Sequence, residues 1–417
     1  MWYSLIRMVD DYMNLINTKE KKLNKNFSTL ETILLVIMSL LIGFCMGKLI
    51  PNTIKITEKT TYNNKYINEF IKNYNYIKDN YYEEIDENDL INGAISGMME
   101  SLDDPYSAYL DEDTSNNFSI TLDGSFKGLG VQILKDEESG YMLVTSVFKD
   151  SPAASAGLQA GDLIISINDI KAKDITAAEF SKFIRESTEN KFLLVLQRDG
   201  KEIKTTAEKN MVVLNSVLSK TFEKNNKKIG YIYIGIFANN TYEQFKEELD
   251  KLEDKNIDSL IIDVRDNTGG HLTAVDGILD LFLNSKQIMY QFFQNGVTTK
   301  TKGIGNENKE YEIVLLGNQN SASASEVLIA GLTENLGSKF IGKKTYGKGT
   351  VQELINLSDG NQYKITIKKW LTPKGSWIND TKGIIPDIEI ELDSKYYDTY
   401  EDDDDSQLQK AIEYLSK

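Results

Sequence analysis

The chain has 417 residues, too many for one ordinary hydrophobic core, so we expect two or three domains. Its formal charge of −16 at pH 7 argues against a nucleic-acid partner, because binding to a phosphate backbone needs a basic surface. The single cysteine, Cys45, excludes a disulfide framework, and the single histidine, His271, leaves no His/Cys cluster for zinc. Any catalysis must therefore use other groups.

The first predicted element is an apolar run at residues 32–50, "TILLVIMSLLIGFCMGKLI". It is about long enough to cross a bilayer as a helix, and Lys48 is close enough to its end to snorkel. The preceding segment is basic, and a secretory signal would have a shorter apolar core and a small-residue cleavage site. We therefore predict a cytoplasmic segment at 1–29 and a transmembrane helix at 30–50; the alternative is a buried core helix.

Short helices are predicted next, over residues 51–117, where apolar side chains recur at helical spacing in "LINGAISGMMESL". Residues 118–208 are predicted to form a β-rich domain, because short apolar runs alternate with Gly, Asp and Asn turns. Within this domain, "SPAASAGLQAGDLIISIND" (151–169) predicts a short helix, a turn and a strand. A second helix is predicted at "TAAEFSKFIRES".

Buried strands alternate with helices after residue 228, which predicts an α/β domain in which parallel pairing is favoured. The strands are "IGYIYIGIF", "SLIIDVR", "YEIVLLGN" and "KFIG", and the helices are "TYEQFKEELDKLED", "LTAVDGILDLFL" and "SASASEVLIAGLTENLG". Two late strands, "QYKITIKKWLTP" and "DIEIEL", complete the domain, which extends over residues 209–417 and ends in a helix.

The stretch "NSASASEV" (320–327) lies where a predicted strand meets a helix. Backbone N–H groups at a helix start lack helical partners, so an oxyanion formed beside Ser323 would find donors already oriented. Ser323 and Glu326 also fit a capping box, in which the serine hydroxyl binds the amide three residues later. Catalysis and capping therefore compete for the same hydroxyl, while Ser321 and Ser325 are interpreted as packing or helix-start residues.

A second strand-to-helix turn, "DVRDNTGG" (263–270), contains the adjacent glycines Gly269 and Gly270. Such a pair permits backbone N–H groups to approach another atom closely, although an ordinary glycine turn has the same sequence. The charged residues of this segment are interpreted as a structural ion-pair network; they are Asp263, Arg265 and Asp266.

A serine nucleophile needs a base, and the sequence offers two. Lys348 lies between glycines in "TYGKGTVQ", but it can act only if burial lowers its pKa; a shift of about 3 units corresponds to about 4 kcal/mol. His271 follows Gly270 at a predicted helix start and is as consistent with a bystander as with a base.

Three motifs, in this order and after a β-rich domain, resemble the C-terminal processing (tail-specific) serine peptidases. They are "DVRDNTGG", "NSASASEVLIAG" (320–331) and "GKKTYGKGTVQ" (342–352). The resemblance covers about residues 70–415 and implies a Ser-Lys dyad. It implies that Ser323 is the nucleophile, Lys348 the general base and Gln352 the residue that positions the lysine.

The same resemblance implies an oxyanion hole formed by the backbone N–H groups of Gly269 and Ala324. Thr268 stands where the family usually has proline, and His271 where it usually has an apolar residue. "LDDPYSAYLDED" (102–113) matches a family landmark without an implied catalytic role.

The β-rich domain resembles a PDZ domain, with "FKGLGVQI" (126–133) as its carboxylate-binding loop. The resemblance implies that amides around Gly128, Leu129 and Gly130 bind the C-terminal carboxylate of a protein, while the peptide adds to a sheet edge. It also implies that this domain gates or feeds the protease site.

The predicted fold is thus an α/β protease core with a mixed sheet, a β-rich PDZ domain and an N-terminal transmembrane helix. The predicted function is that of a membrane-anchored serine endopeptidase, cofactor-free, with its catalytic part outside the cytoplasm. Its partners are protein C-termini, the membrane and a second copy, through the helices at 60–117 and the C-terminal helix. The alternatives are an inactive membrane-tethered PDZ scaffold and a Ser-His hydrolase that uses His271.

Overall fold

The computed structural model describes residues 65–305, 309–357 and 360–417. The predicted cytoplasmic segment and transmembrane helix lie outside these residues. Within the described ranges, no helix is both long and apolar enough to span a bilayer.

Helices dominate the N-terminal region, as its periodicity predicts. They are α1 (Lys65–Asn80), α2 (Glu87–Glu100) and α3 (Glu112–Asp123), and strand β1 (Ala108–Leu110) lies between α2 and α3. The chain divides into two units within this region, the first ending at Glu87 and the second running from Asn88 to Lys417.

Helix α3 has a well-defined cap at each end. The carboxylate of Asp111 accepts the N–H of Thr114 at 2.8 Å, and Gly124 ends the helix in the left-handed conformation that glycine adopts without strain. Because α3 continues to Asp123, the β-rich region begins at Ser125 and not at residue 118, the predicted boundary.

The β-rich domain contains a six-stranded sheet, two helices and a two-stranded ribbon. Its strands are β2 (Ser125–Gly128), β3 (Val131–Lys135), β4 (Met142–Val147), β5 (Leu163–Ile167), β6 (Ile170–Lys171), β7 (Lys191–Arg198), β8 (Lys201–Glu208) and β9 (Asn210–Val213), and its helices are α4 (Pro152–Ser155) and α5 (Ala177–Glu186). The sheet order is β3-β4-β5-β7-β8, with β6 beside β5, and β2 pairs with β9. The apolar residues of β7 alternate between buried and exposed positions, so one face of the sheet covers a core with α5.

The α/β domain is built on a second six-stranded sheet, in the order β10-β11-β12-β15-β16-β19. The strands of the whole α/β domain are β10 (Val217–Lys224), β11 (Lys227–Ile234), β12 (Ser259–Asp263), β13 (Ile288–Gln294), β14 (Val297–Lys302), β15 (Glu312–Gly317), β16 (Lys339–Gly342), β17 (Thr350–Asn356), β18 (Gln362–Leu371) and β19 (Ile388–Glu389). Its helices are α6 (Thr241–Glu253), α7 (Leu272–Asp280), α8 (Ala324–Leu336), α9 (Ile378–Thr381), α10 (Tyr396–Thr399) and α11 (Ser406–Leu415). Strands β10 and β11 are antiparallel and the other pairs parallel, which confirms the predicted mixed sheet.

Side chains of the central strands alternate between two cores. Ile262 and Leu315 point into the core formed with α6, α7 and α8, whereas Ile261 and Val314 point into the core covered by α11. Helix α11 therefore buries its apolar side chains against its own sheet. The expected part of the C-terminal helix in a dimer interface stays a prediction.

A further five-stranded sheet was not predicted. β18 is at its centre and pairs antiparallel with β1, β13 and β17, while β14 pairs with β13. Because β17 follows the segment that contains Lys348, this sheet forms one wall of the site.

Candidate active site

Ser323 is the residue immediately before α8, at the turn that follows β15. Its backbone has φ 55° and ψ −114°, an uncommon conformation for a residue other than glycine. Such strained residues occur often at functional sites, because the surrounding structure must hold them in place. The strain agrees with the predicted role of Ser323.

The serines two positions away have structural roles. Ser321 and Ser325 are both fully buried, and their hydroxyls donate to backbone carbonyls of the other turn, Ser321 to Val264 at 2.7 Å and Ser325 to Asn267 at 2.8 Å. These hydrogen bonds connect the turn that contains Ser323 (the serine turn) to the turn at residues 263–270 (the glycine turn). Only Ser323 of the three lines the cleft described below.

Gly269 packs directly against the serine turn. A Cβ at this position would lie 2.8 Å from the Cβ of Ser323 and 3.1 Å from the backbone nitrogen of Ala324, so a side chain does not fit. Its φ of 106° is also one that residues with side chains rarely adopt. The two predicted oxyanion donors thus belong to adjacent turns, as the sequence predicts.

The two amides differ in their present hydrogen bonding. Ala324 is the first residue of α8, where a backbone N–H has no helical acceptor. The N–H of Gly269 donates to the side-chain oxygen of Asn267 at 2.8 Å, so it is occupied in this arrangement. The role of Gly269 as an oxyanion donor stays a prediction, and it requires this bond to open.

Asn267 is a site residue that the sequence did not reveal. It is fully buried, its side-chain nitrogen donates to the carbonyl of Ile234 at 2.9 Å, and its own carbonyl accepts the N–H of Ala322 at 3.0 Å. It therefore holds both turns at the carboxyl ends of their strands. The only available signal was an asparagine in a glycine turn, which is also common in ordinary turns.

Lys348 lies half-buried in the segment between β16 and β17, and its side chain lines the same cleft as Ser323. Burial, and then the charge of Lys364, lowers the pKa of Lys348 to about 8. Its Nζ lies 4.9 Å from the ring centroid of Tyr106, within the range of a cation–π contact. A lysine in this environment is a suitable general base near neutral pH.

Tyr106 comes from the landmark to which no catalytic role was given. Burial and a hydrogen bond with Tyr346 raise the pKa of Tyr106 to about 12, so its ring stays neutral beside the lysine. The backbone of Lys348 is held as well, because its carbonyl accepts the Nε1–H of Trp370 at 2.8 Å. Both the chain and the side chain of the lysine thus have fixed neighbours.

Glu326 forms hydrogen bonds with both Ser323 and the segment that contains Lys348. Its fully buried carboxylate accepts the N–H of Ser323 at 2.8 Å, which is one half of the predicted capping box. It also accepts the Thr345 hydroxyl at 2.6 Å and two backbone N–H groups, of Gly347 at 2.7 Å and Lys348 at 2.9 Å. Burial raises the pKa of Glu326 from its ordinary value, and the four donors oppose that rise.

We expect Glu326→Gln to lower both the free energy of unfolding, by about 2–4 kcal/mol, and the catalytic rate, by about 100-fold. The amide nitrogen of glutamine cannot accept hydrogen bonds, so buried N–H donors would lose their acceptor. Stability is measured by urea denaturation and activity by peptide cleavage. Glu334→Gln is the control, because Glu334 lies on the same helix and accepts one N–H, from Lys374, near the surface. Equal effects of the two substitutions would contradict this role for Glu326.

Gln352 lies on β17 and lines the cleft. Its side-chain nitrogen donates to the hydroxyls of Thr350 and Thr366, both at 3.0 Å. These bonds use both amide hydrogens, which leaves the oxygen as an acceptor that suits an ammonium group. Positioning of Lys348 by Gln352 stays a prediction.

The cleft between the two turns and the five-stranded sheet has a volume of about 760 Å³. Its lining includes Ser323, Lys348, Gln352, Gly269 and His271. The structure thus brings together the predicted nucleophile, base and glycine turn. Helix α3 supplies a further wall through Phe118, Thr121 and Leu122.

His271 is half-buried at the start of α7, where its N–H donates to the carbonyl of Phe237 at 2.6 Å. Burial lowers the pKa of His271, and the charge of Asp123 opposes this. The lowered pKa favours the neutral imidazole, which lies in the wall of the cleft.

The predicted ion-pair network is present with a different partner. The guanidinium of Arg265 binds Asp263 at 2.6 Å and Asp405 at 2.7 Å, all three being buried. Asp266 instead accepts the side-chain amides of Asn318 and Asn320. The expectation for Asp266 was wrong because its turn directs it to the neighbouring turn, while a distant carboxylate at the start of α11 completes the network.

The predicted PDZ loop lines a second cavity, of about 550 Å³, in the β-rich domain. Gly128, Leu129 and Gly130 contribute to its wall, and the Gly130 φ of 77° favours glycine. Helix α3 lines this cavity too, through residues that include Ile120 and Thr121. The same helix is therefore a wall of both cavities.

Comparisons with known proteins agree with this architecture. The model of peptidase family S41 matches residues 228–390, the model of the PDZ domain residues 143–198, and the model of the N-terminal domain of the activating protease CtpB residues 49–114. The carboxy-terminal processing protease CtpB of Bacillus subtilis is 38% identical over 76% of this chain. The carboxy-terminal processing protease CtpA of the same organism is 36% identical over 77% of this chain. The aligned parts span 66% and 68% of those two proteins.

Among solved structures, a photosystem II D1 C-terminal processing protease is similar at 22% identity and a TM-score of 0.46, over 77% of this chain and 92% of that one.

An α/β sheet with a strained serine at a helix start, a half-buried lysine in the same cleft and an appended PDZ domain is the architecture of a serine peptidase with a peptide-binding module. The chain belongs to peptidase family S41, the carboxy-terminal processing serine proteases. The predicted family and the predicted PDZ domain are thus confirmed.

Proposed function

We propose that this protein is a serine endopeptidase that binds protein C-termini through its PDZ domain and cleaves the chain with a Ser323–Lys348 dyad. The observation that carries the proposal is the shared cleft, which the strained Ser323 lines together with a lysine whose pKa is about 8. At pH 8 about half of such lysines carry no proton and can accept one from a hydroxyl.

In the proposed reaction, the Ser323 oxygen attacks the scissile carbonyl carbon while Lys348 takes the hydroxyl proton. The oxyanion is stabilised by the N–H of Ala324 and, once its bond to Asn267 opens, by that of Gly269. Lys348 then returns the proton to the leaving amine. Water enters, loses a proton to Lys348 and attacks the acyl ester. The ester C–O bond then breaks and Lys348 gives the proton to the Ser323 oxygen, which releases the new carboxyl end and restores both residues.

Binding of substrate C-termini is supported by the PDZ cavity, since a loop of backbone amides beside a sheet edge suits a terminal carboxylate. We expect an unfolded protein with a free C-terminal carboxylate to be cleaved about 10-fold faster, in kcat/KM, than the same protein with a C-terminal amide. The assay uses the wild-type chain and follows product formation by mass spectrometry. Equal rates would contradict recognition by the PDZ loop, and no cleavage of either substrate would favour the inactive scaffold.

Membrane anchoring is part of the proposal because of the apolar run at 32–50 and the basic residues before it. The N-terminus lies in the cytoplasm and the catalytic part outside it. Protease added to intact cells should then digest the catalytic part, and its full protection would refute this orientation.

A homodimer is proposed through the N-terminal helices. Helix α1 has no buried residue, yet its apolar side chains recur at helical spacing on one face. They include Ile67, Phe70, Ile71 and Ile77, each more than 40% exposed. A second copy would cover this stripe.

The double substitution Phe70→Asp, Ile71→Asp should convert a dimer to a monomer, because it places two charges in the apolar stripe. Sedimentation velocity measures the change. Lys72→Asp, on the opposite face of α1, is the control and should leave the dimer intact. A wild-type chain that sediments as a monomer would refute the interface.

A further inference from the structure

The charged side chains in the wall of the catalytic cleft are all cationic within the described residues. They are Lys348 and Lys364, and no aspartate or glutamate of that part of the chain lines the cleft. The whole chain, in contrast, has a formal charge of −16. A cleft of this sign favours a substrate segment that is neutral or acidic over one that is basic.

The five-stranded sheet determines the position of Lys364. It lies on β18, opposite Leu354 of β17. Thr366, two residues further along β18, accepts the side-chain amide of Gln352 at 3.0 Å. Because residues two apart point to the same face of a strand and are about 7 Å apart, Lys364 extends the face that holds Gln352 by about two residues.

The side chain of Lys364 is held but not neutralised. Its Nζ lies 5.5 Å from the ring centroid of Phe118 on α3, which also lines the cleft. None of the ion pairs among the described residues includes Lys364, and the residue is half-buried. Its charge acts across the cleft, since it helps to lower the pKa of Lys348. A cation in this position is available to a ligand.

We propose that Lys364 makes the cleft select substrates with a carboxylate within about three residues of the scissile bond. This carboxylate is a Glu or Asp side chain, or the terminal carboxylate of the chain being cut. The selection rests on the proposed peptidase function. A carboxylate that enters the half-buried cleft gains a partner that is already oriented by Phe118, whereas a lysine or arginine there meets the like charge of Lys364.

The test uses peptides that are identical except at one position, which is Glu, Gln or Lys, moved stepwise along three residues on each side of the scissile bond. All of them carry a C-terminal amide, so that the PDZ loop does not add its own charge preference. A second arm compares the free acid with the amide when the chain ends within three residues of the scissile bond. Values of kcat/KM are measured for the wild-type chain and for Lys364→Gln, Lys364→Glu and Lys364→Arg.

Lys368→Gln is the matched control, because Lys368 lies on the same strand and its Nζ lies 4.3 Å from the ring centroid of another phenylalanine, Phe292, outside the lining of the cleft. For the wild-type chain we expect Glu to be preferred over Gln by about 10-fold at one or two positions, and Lys to be disfavoured by a similar factor. Lys364→Gln should abolish both preferences, Lys364→Glu should reverse them and Lys364→Arg should retain them.

A second arm in which only the free acid is preferred, with no preference for internal Glu, assigns the selected carboxylate to the chain end. Equal rates for Glu, Gln and Lys at every position, together with equal rates for free acid and amide, would overturn the selection. A preference for internal Glu that persists in Lys364→Gln would overturn it as well. If the wild-type chain cleaves the Gln peptides and Ser323→Ala does not, the peptidase function is supported even when the selection by Lys364 is overturned. Turnover that Ser323→Ala leaves unchanged would instead refute the peptidase assignment itself.

Discussion

Ser323→Ala should lower the rate of peptide cleavage by at least about 10³-fold and leave the melting temperature nearly unchanged. The substitution removes the proposed nucleophile, but the strained φ of 55° and the bond from the Ser323 N–H to Glu326 do not depend on the hydroxyl. The cleavage rate is measured with an unfolded substrate protein. The melting temperature of the peptidase itself is measured by circular dichroism. A fully active Ser323→Ala protein would refute the assignment.

The neighbouring serines provide controls with the opposite pattern. Ser321→Ala and Ser325→Ala remove buried hydroxyls that bind the carbonyls of Val264 and Asn267. Each should lower the free energy of unfolding by about 1–3 kcal/mol and still leave a measurable cleavage rate, because the nucleophile remains. The three substitutions together separate loss of chemistry from loss of the turn.

Lys348→Ala should abolish cleavage near neutral pH, whereas His271→Ala should retain most of it. For the wild-type chain, the active form of the base is neutral lysine. Its pKa is lowered to about 8, so the rate should fall about 10-fold for each pH unit below 8 and reach a plateau above it. The dependence of kcat/KM on pH from 5 to 10 checks this prediction.

The rival Ser-His site predicts a different profile. Burial lowers the pKa of His271 from its ordinary value, so a histidine base would already be active well below pH 7. A rate that reaches its plateau in that range, and that His271→Ala abolishes while Lys348→Ala does not, would establish histidine as the base. Lys348→Arg retains a positive charge but cannot act as a base at these pH values, so it should be as inactive as Lys348→Ala.

The parts of the fold that local periodicity determines could be predicted from the sequence. Helices α5, α6 and α8 and strands β11, β12 and β15 lie within one to three residues of their predicted positions, because their apolar spacing reflects the face that they bury. The five-stranded sheet around β18 was not predicted. One signal for it was present, since "QNGV" places Asn295 and Gly296, both with positive φ, in a two-residue hairpin turn between β13 and β14.

The candidate site could be predicted only in part. Short sequence motifs contain Ser323, Gly269 and Lys348. Each motif can be identified from its own residues, without the rest of the chain. The partners of Glu326 at Thr345 and Gly347 lie about twenty residues away on another segment, and the pairing of strands in space determines them. For Lys364, the sequence shows one lysine among several on a strand, and only the pairing of β17 with β18 reveals which of them lines the cleft.

The position of helix α3 determines how far the catalytic cleft lies from the PDZ cavity. It forms a wall of the catalytic cleft and a wall of the PDZ cavity, and Thr121 contributes to both. A helix with its side chains is about 10–12 Å wide, so the two cavities are separated by the thickness of one structural element. A displacement of α3 in one cavity would therefore also change the width of the other.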